Sequence, residues 1–518
     1  MTITAGTAHS PETGAETEAR TRQVTAVRPE GRPGPQPRGR QRPGRPSTGA
    51  LRERLRCRWA TQPAGLRLAR AGILLLTAAL ALLLLLAGLA VSATWDTVDG
   101  RDAPRTTSAA GLGLALNDMD AQAANILLSS GDAGAGRMAV PYDKATGFYD
   151  SARRTVSREL RTLAVAAEGD TRAEHTVEAL TENFARYQEL IGRALENDGR
   201  AGGKAGALDD YRSATALLSM HIRPESQALI AANNDAYESG YDAARSRLTA
   251  ELVTAVVLGL LLLTALVVLQ WYLARQFHRI LNPALLAGTL CAFLAFALGG
   301  QALSASSEHL RGARRDAFDS VVALSRARAI AYDANADESR YLLFEQERTA
   351  YEQSFLDKSQ QLYGIEGATL ATYDTGMDET WDAYRTDHAD RRFTGEFRRE
   401  LDNITFPGER AAAERTVRTY AVYQRDDRTI RRLIAEGREQ EAVAFCISWG
   451  PGKSNAHFGA WMDALDEVTD INRTHFDASV REGRGAVSRL LPSAGGALVA
   501  AAALTVLGLR PRLAEFQV

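Results

Sequence analysis

The sequence predicts an all-α membrane protein: four transmembrane helices with two duplicated extracytoplasmic helical-bundle domains. Three observations predict it. Four charge-free apolar blocks, each 20 to 25 residues long, interrupt a 518-residue chain that is otherwise polar. The long segments between them repeat apolar residues every three or four positions. Alternating strand patterns with Asn-Gly or Asp-Gly hairpin turns are nearly absent. The averages hide this, since a net charge of -2 is ordinary for a soluble protein. The class is carried by the distribution of residues along the chain.

Residues 1–50 are poor in apolar side chains and rich in Arg, Pro and Gly. Such a stretch buries too little surface to offset its ordering entropy, which predicts a disordered tail. Residues 51–70 differ. Leu51, Leu55 and Trp59 recur every four residues among Arg52, Arg54, Arg56 and Arg58. This reads as a basic amphipathic juxtamembrane helix drawn to anionic lipid, fixing topology or docking a cytoplasmic partner.

The four spans are residues 71–94, 251–274, 283–307 and 490–509. A helix of about 20 residues crosses the ~30 Å hydrocarbon core, so each is long enough. The Leu82–Leu86 run makes the first the most apolar, and Pro492 with its Ala/Gly-rich neighbours makes the fourth the least. A signal peptide fits the first block poorly, because about 70 residues precede it and no clean cleavage motif follows.

Orientation follows from the arginines. Residues 19–70 hold fourteen of them against Glu30 and Glu53, the link 275–282 holds Arg275, His278 and Arg279, and the tail 510–518 holds Arg510 and Arg512. The positive-inside rule places all three segments, and so both termini, in the cytoplasm. Residues 95–250 and 308–489 then face outward. Cys57, Cys291 and Cys446 fall in three different compartments, which excludes an intramolecular disulfide. Cys446 reads as a small buried hydrophobe rather than a cross-link between copies.

Both outer segments read as helical bundles. Val177, Leu180, Phe184, Tyr187, Ile191 and Leu195 form one apolar stripe, and Trp461, Leu465 and Val468 begin another. Asp99-Gly100, followed by Pro104, predicts a break. At an offset of 215, Asp118 lies opposite Asp333 and Ala121 opposite Ala336, and Tyr187-Gln188 matches Tyr423-Gln424 further on. With the shared order of span, helical domain and span, this predicts an internal duplication. From Pro283 to about Glu347 no proline intervenes, which predicts a continuous helical rod of about 90 Å.

Catalytic motifs are missing, so an enzyme is not expected, and neither a metal nor any other cofactor. Trp449-Gly450-Pro451-Gly452-Lys453-Ser454 resembles a phosphate loop, but Ile447 stands where its first glycine belongs. A turn is the better reading. None of the eight histidines follows a Glu by three residues, as a di-iron bundle needs. Within their charge-free limits, which begin at Leu252 in the second, the spans lack charged groups, which disfavours a transporter acting alone. The candidate ligand-binding residues are Asp118, Asp333, Arg340 and Tyr341, with Asp120, Asn125 and Asp337 nearby. The ordinary reading of such charges is a solvated helix face. Trp449, His457 and Trp461 could line a pocket, although tryptophans at helical spacing are more often core.

Outer helical bundles flanked by spans are the layout of bacterial sensory receptors. Here the inner link is about eight residues and the chain stops nine residues past Leu509, so output is expected to pass to a separate protein. Residues 70–510, with their Arg-, Ala- and Gly-rich composition, resemble the actinobacterial GlnX family of four-span membrane proteins. The resemblance implies a relay between an extracytoplasmic amino-acid-binding lipoprotein and the soluble Ser/Thr kinase PknG, reporting glutamate, glutamine or aspartate availability. The expected partners are that solute-binding lipoprotein, that kinase and membrane lipid. Nucleic acid is not among them, and a homodimer is left open. The competing readings are a membrane subunit of a transporter or export complex, and a structural envelope protein.

Overall fold

The computed structural model describes residues 62–130, 138–277 and 282–514. The tail 1–50, the amphipathic segment over 51–61, half of the 275–282 link and the last four residues lie outside the described residues.

Four very long helices organise the molecule. The first starts as α1 (Gln62–Thr97), passes through a π turn (Val98–Asp102) and continues as α2 (Ala103–Ser129). After the outer helices α3 (Ala139–Ala166) and α4 (Thr171–Asp198), the second runs as α5 (Lys204–Leu217), a π turn (Leu218–Ile222) and α6 (Arg223–Phe277). The third comprises α7 (Pro283–Arg311), a π segment (Gly312–Phe318) and α8 (Asp319–Leu343). Five shorter helices follow: α9 (Arg348–Leu362), α10 (Tyr373–Thr386), α11 (Glu396–Asp402), α12 (Glu409–Ala435) and α13 (Glu439–Ile447). The fourth long helix is α14 (Ser454–Ala514). Among the described residues there is no named strand, only an isolated bridge between Gly364 and Thr394.

All four long helices are long and apolar enough to cross a membrane, with stretches of 58 to 72 residues each. At 1.5 Å per residue they measure roughly 85–110 Å, far more than a bilayer requires. The excess stands outside as bundle. The predicted rod from Pro283 is therefore present, ending at Leu343.

The predicted break at Asp99-Gly100 is not. The helix passes through it as a π turn, with Pro104 two residues beyond. A proline ring collides with the carbonyl four residues back, here on Gly100. A widened turn at that carbonyl gives the ring room, so proline and continuity coexist. Pro224 stands in the same relation to the π turn at Leu218–Ile222.

The spans pack in the cyclic order α1, α6, α7, α14. Small residues bring the backbones close, as expected where lipid offers no hydrophobic drive for association. Phe296 covers Gly259 and Leu84 covers Gly299 so tightly that a Cβ at either glycine would collide. Gln270 Nε2 donates to Thr289 Oγ1 at 2.5 Å. At the end of the spans away from the bundles Asn282 caps α7, accepting from the Ala284 and Leu285 amides, while its own Nδ2 donates to the Gly508 carbonyl of α14. Large apolar side chains left exposed, such as Leu75, Leu85, Val257, Leu261, Leu290 and Val499, concentrate on these spans. That belt is the lipid-facing surface.

Outside, each half builds its own core. Leu112, Val156, Phe184, Tyr187 and Tyr211 centre the first, and Phe355, Tyr373, Tyr420, Tyr423 and Trp461 the second. The two meet along α2 and α8, which run side by side and parallel. Asn117 Nδ2 donates to the Ala329 carbonyl at 2.9 Å, and Ser339 Oγ donates to Asn125 Oδ1 at 2.9 Å.

Candidate functional site

The α2–α8 seam carries more charge than a helix interface ordinarily tolerates. On α8, Asp333, Asp337 and Arg340 share one face because they are spaced four and three residues apart. That face is turned inward, so a pattern that reads as a solvated surface is buried: Asp333 is 6%, Asp337 1% and Arg340 3% exposed. Asp120 enters from α2, Arg223 from the first turn of α6 and Lys358 from α9.

The six groups form one network. The Arg340 guanidinium donates to Asp120, and to Asp337 Oδ1 at 2.5 Å, with Asp333 Oδ1 at 3.6 Å. Lys358 Nζ lies 3.0 Å from Asp333 Oδ2 and donates to Asp337 as well. Arg223 Nη2 donates to Asp333 Oδ1 at 2.8 Å, and the Tyr187 hydroxyl donates to Asp120 Oδ1 at 2.9 Å. Three carboxylates face three cations, so the cluster is electrically neutral. Unpaired, any one of these charges would cost several kcal/mol to bury.

The titration behaviour follows from this pairing. Burial alone would raise the Asp333 carboxyl, but Lys358, Arg223 and Arg340 outweigh it and hold it at about 2. Burial opposes the charge on Arg340 too, yet Asp120 and the other anionic neighbours hold it well above the ordinary guanidinium range. Burial pushes the Tyr187 phenol up, and Asp120 adds to the shift.

Beside the network lies a cavity of about 510 Å³ between α2, α6, α8 and α9. Its polar wall includes Arg223, Ser226, Asp333 and Lys358, and its apolar wall includes Leu116, Ile230, Val322 and Ile330. Ser226 Oγ and Arg223 Nε are both buried without a hydrogen-bond partner. Gly113 borders the same space, with Ser226 Oγ and Ile230 Cδ1 each 3.4 Å from where its Cβ would stand.

The structure divides the four residues singled out from sequence. It brings Asp333 and Arg340 together in the network. Asp118 points elsewhere: half-buried on α2, it accepts from Gln122 Nε2 at 2.9 Å, and desolvation raises its carboxyl to about 6. Tyr341 is buried where the two bundles meet, with the guanidiniums of Arg348 and Arg431 over its ring. Asp120, Asn125 and Asp337 belong to the seam. Arg223, Ser226 and Lys358 carried no sequence signal, because they stand among other polar residues on α6 and α9, apart from the two helices that supply the rest of the network.

The other candidates are structural. Trp461 is fully buried among Tyr420, Tyr423 and Phe458. His457 Nδ1 sits 2.6 Å from Asp426 Oδ2, and Trp449 packs on Phe148. The segment resembling a phosphate loop is the turn into α14, with Gly452 at φ +75° and Ser454 bonded to Glu338. Cys446 is fully buried against Glu338, out of reach of any second copy. No group of His, Cys, Asp and Glu among the described residues could hold a metal ion.

Residues 94–242 match the actinobacterial sensor domain family. The matched stretch runs from the outer end of α1 through the first bundle to the outer half of α6. It supplies Asp120, Tyr187, Arg223 and Ser226 with the Leu116 and Ile230 side of the cavity, while the second bundle supplies Asp333, Asp337, Arg340 and Lys358. No curated protein and no solved structure matches the chain.

Proposed function

We propose that this protein is a plasma-membrane sensor that relays the availability of an extracytoplasmic amino acid, of the glutamate, glutamine and aspartate class, to a cytoplasmic partner. On this reading both termini and the 275–282 link are cytoplasmic. The ligand arrives free or on a solute-binding lipoprotein, and the partner is a Ser/Thr kinase. The observation that carries the reading is continuity. Three of the four helices that wall the cavity and hold its charge network, α2, α6 and α8, belong to the long helices that cross the membrane. The match of residues 94–242 to a sensor domain supports it, and so do the charge-free spans, which offer no ion path. The parallel placement of π segments in α1–α2 and α7–α8, offset by 214 at their first residues, supports a duplicated unit.

A relay needs a ligand that binds two bundle packings differently. Moving the population from 1:99 to 99:1 takes about 5.5 kcal/mol of differential binding. The test is affinity purification from solubilised membranes with and without each amino acid. A lipoprotein or a kinase whose recovery depends on the amino acid is expected. Recovery of an ATPase, with a flux defect on deletion, would instead establish the transporter-subunit reading.

A further inference from the structure

We propose that the cavity at the bundle junction is itself a binding site for a small carboxylate, held by its head on Arg223 and Ser226. The assignment deepens the sensor reading and rests on it. Three observations set the ligand class. The charged side chains on the cavity wall are Arg223, Arg326, Lys358 and Asp333, three cationic donors to one carboxylate.

The second observation is the unspent donors. Ser226 is 2% exposed, and its Oγ has no partner; Arg223 Nε is buried and also unpartnered. Both sit in the first turn of α6, one helical turn apart, as two donors for one carboxylate. The acceptors nearby are already committed, since Asp333 receives Arg223 and Lys358 and has Arg340 beside it. The site therefore offers a guanidinium N–H and a hydroxyl to an acceptor, while its one lining carboxylate is already paired. The third observation is the apolar face of Leu116, Ile230, Val322 and Ile330. With about 510 Å³ available, a body of several carbons fits against it. Free amino acids and simple organic acids share this head, and the experiment separates them.

The full chain in lipid nanodiscs would be titrated with L-glutamate, L-glutamine, L-aspartate, glutarate and hexanoate, by calorimetry and thermal shift. At least one is expected to bind saturably. Affinity should fall tenfold or more in Gly113→Leu, whose side chain fills the cavity without touching a charge, and in Arg223→Gln. Ser226→Ala, which removes only a hydroxyl, should show a smaller loss and guards against a folding defect in the other two. Preference for the amino acids over glutarate and hexanoate supports free amino acids as the source; the reverse supports simple organic acids. The assignment is overturned if no member of the panel binds wild type, or if the three variants bind as wild type does. Amino-acid-dependent kinase recovery that persists in Gly113→Leu sinks the cavity site and leaves the relay standing. Absence of that recovery in the wild type sinks the relay, whereas saturable binding that is lost in Gly113→Leu keeps the cavity site.

Discussion

Replacing Arg340 by Met tests whether the charge network holds the two outer bundles together. Arg340 is 3% exposed and contacts Asp120 on α2, and Asp333 and Asp337 on its own helix. Its loss leaves three carboxylates against two cations, and Asp120 keeps only the Tyr187 hydroxyl. Breaking a buried ion pair by removing one partner costs about 3–5 kcal/mol, most of it from the charge left uncompensated. For domains of 150–250 residues each kcal/mol moves the midpoint by about 2–4 °C, so thermal unfolding should begin roughly 10 °C earlier. Circular dichroism of the protein in nanodiscs reads it. The decisive comparison adds Asp120→Asn, which removes the stranded charge. The double variant should recover at least about 1 kcal/mol relative to the sum of the singles, since residues in one network are not additive. A loss below about 1 kcal/mol in Arg340→Met, or strict additivity with Asp120→Asn, refutes the reasoning.

Other outcomes follow from single contacts. Burial, reinforced by Glu409, raises the Glu400 carboxyl to about 8. Folding then binds a proton that the unfolded chain, at its ordinary 4.5, gives up. Stability from this group is full below about 4.5 and is lost as pH rises toward 8, by on the order of 4 kcal/mol. Glu400→Gln should flatten that decline in an unfolding series from pH 5 to 9, and an unchanged slope rejects the assignment. A Cβ at Gly483 would run into the Trp95 ring, whose Nε1 donates to Ser306 Oγ at 3.3 Å. Gly483→Ala should cost about 1–3 kcal/mol through overpacking, measured as a lowered midpoint. Cys446, fully buried with burial pushing its thiol well up, should resist maleimide in a Cys57→Ser/Cys291→Ser background until the chain unfolds. In the same background Val165→Cys, at a 69% exposed site, should label from outside intact cells with an impermeant reagent. Labelling only after lysis would reverse the topology.

The spans were legible because apolar length is a local property, needing only a count of residues against bilayer thickness. The stripe from Val177 to Ile191 was legible for a similar reason, since one face of α4 packs into one core. The misread segment was Asp99-Gly100. Glycine and proline are helix breakers only while the hydrogen-bond register is α, and nothing local announces a switch to π. The candidate site was legible in half. Asp333 and Arg340 stand on one helix face, and the sequence shows that spacing. Whether the face is wet depends on α2, more than 200 residues away. Asp118 was chosen for its place opposite Asp333 in the repeat, but the seam uses Asp120, two residues on. Side chains two apart on a helix point in different directions. Arg223 and Lys358 reach the network from α6 and α9, at positions that the repeat alignment did not pair.

Continuity from cavity to membrane does not by itself transmit a signal, because a rigid rod has one state. The seam is the place where two states are cheapest. A well-packed core resists rearrangement, since each displaced side chain leaves a void or a clash. A neutral set of three acids and three bases can instead exchange partners while every charge stays compensated. Asp333 is central to that exchange, lying within ion-pair distance of Arg223, Arg340 and Lys358, which come from three different helices. An anion on Arg223 competes with Asp333 for that guanidinium, and Asp333 retains Lys358 and Arg340. The change would be felt by α6, which enters the bilayer, and by α8, which continues into the span α7. At the membrane surface the four-helix packing is then clamped. Trp95 sits on Gly483 and bonds Ser306, and Arg484 lies 2.9 Å from Asp96 and 3.0 Å from Asp99. A displacement of α8 and α7 therefore reaches α1 and α14 before any of the four helices enters lipid. The bundle should move as a set rather than as one piston.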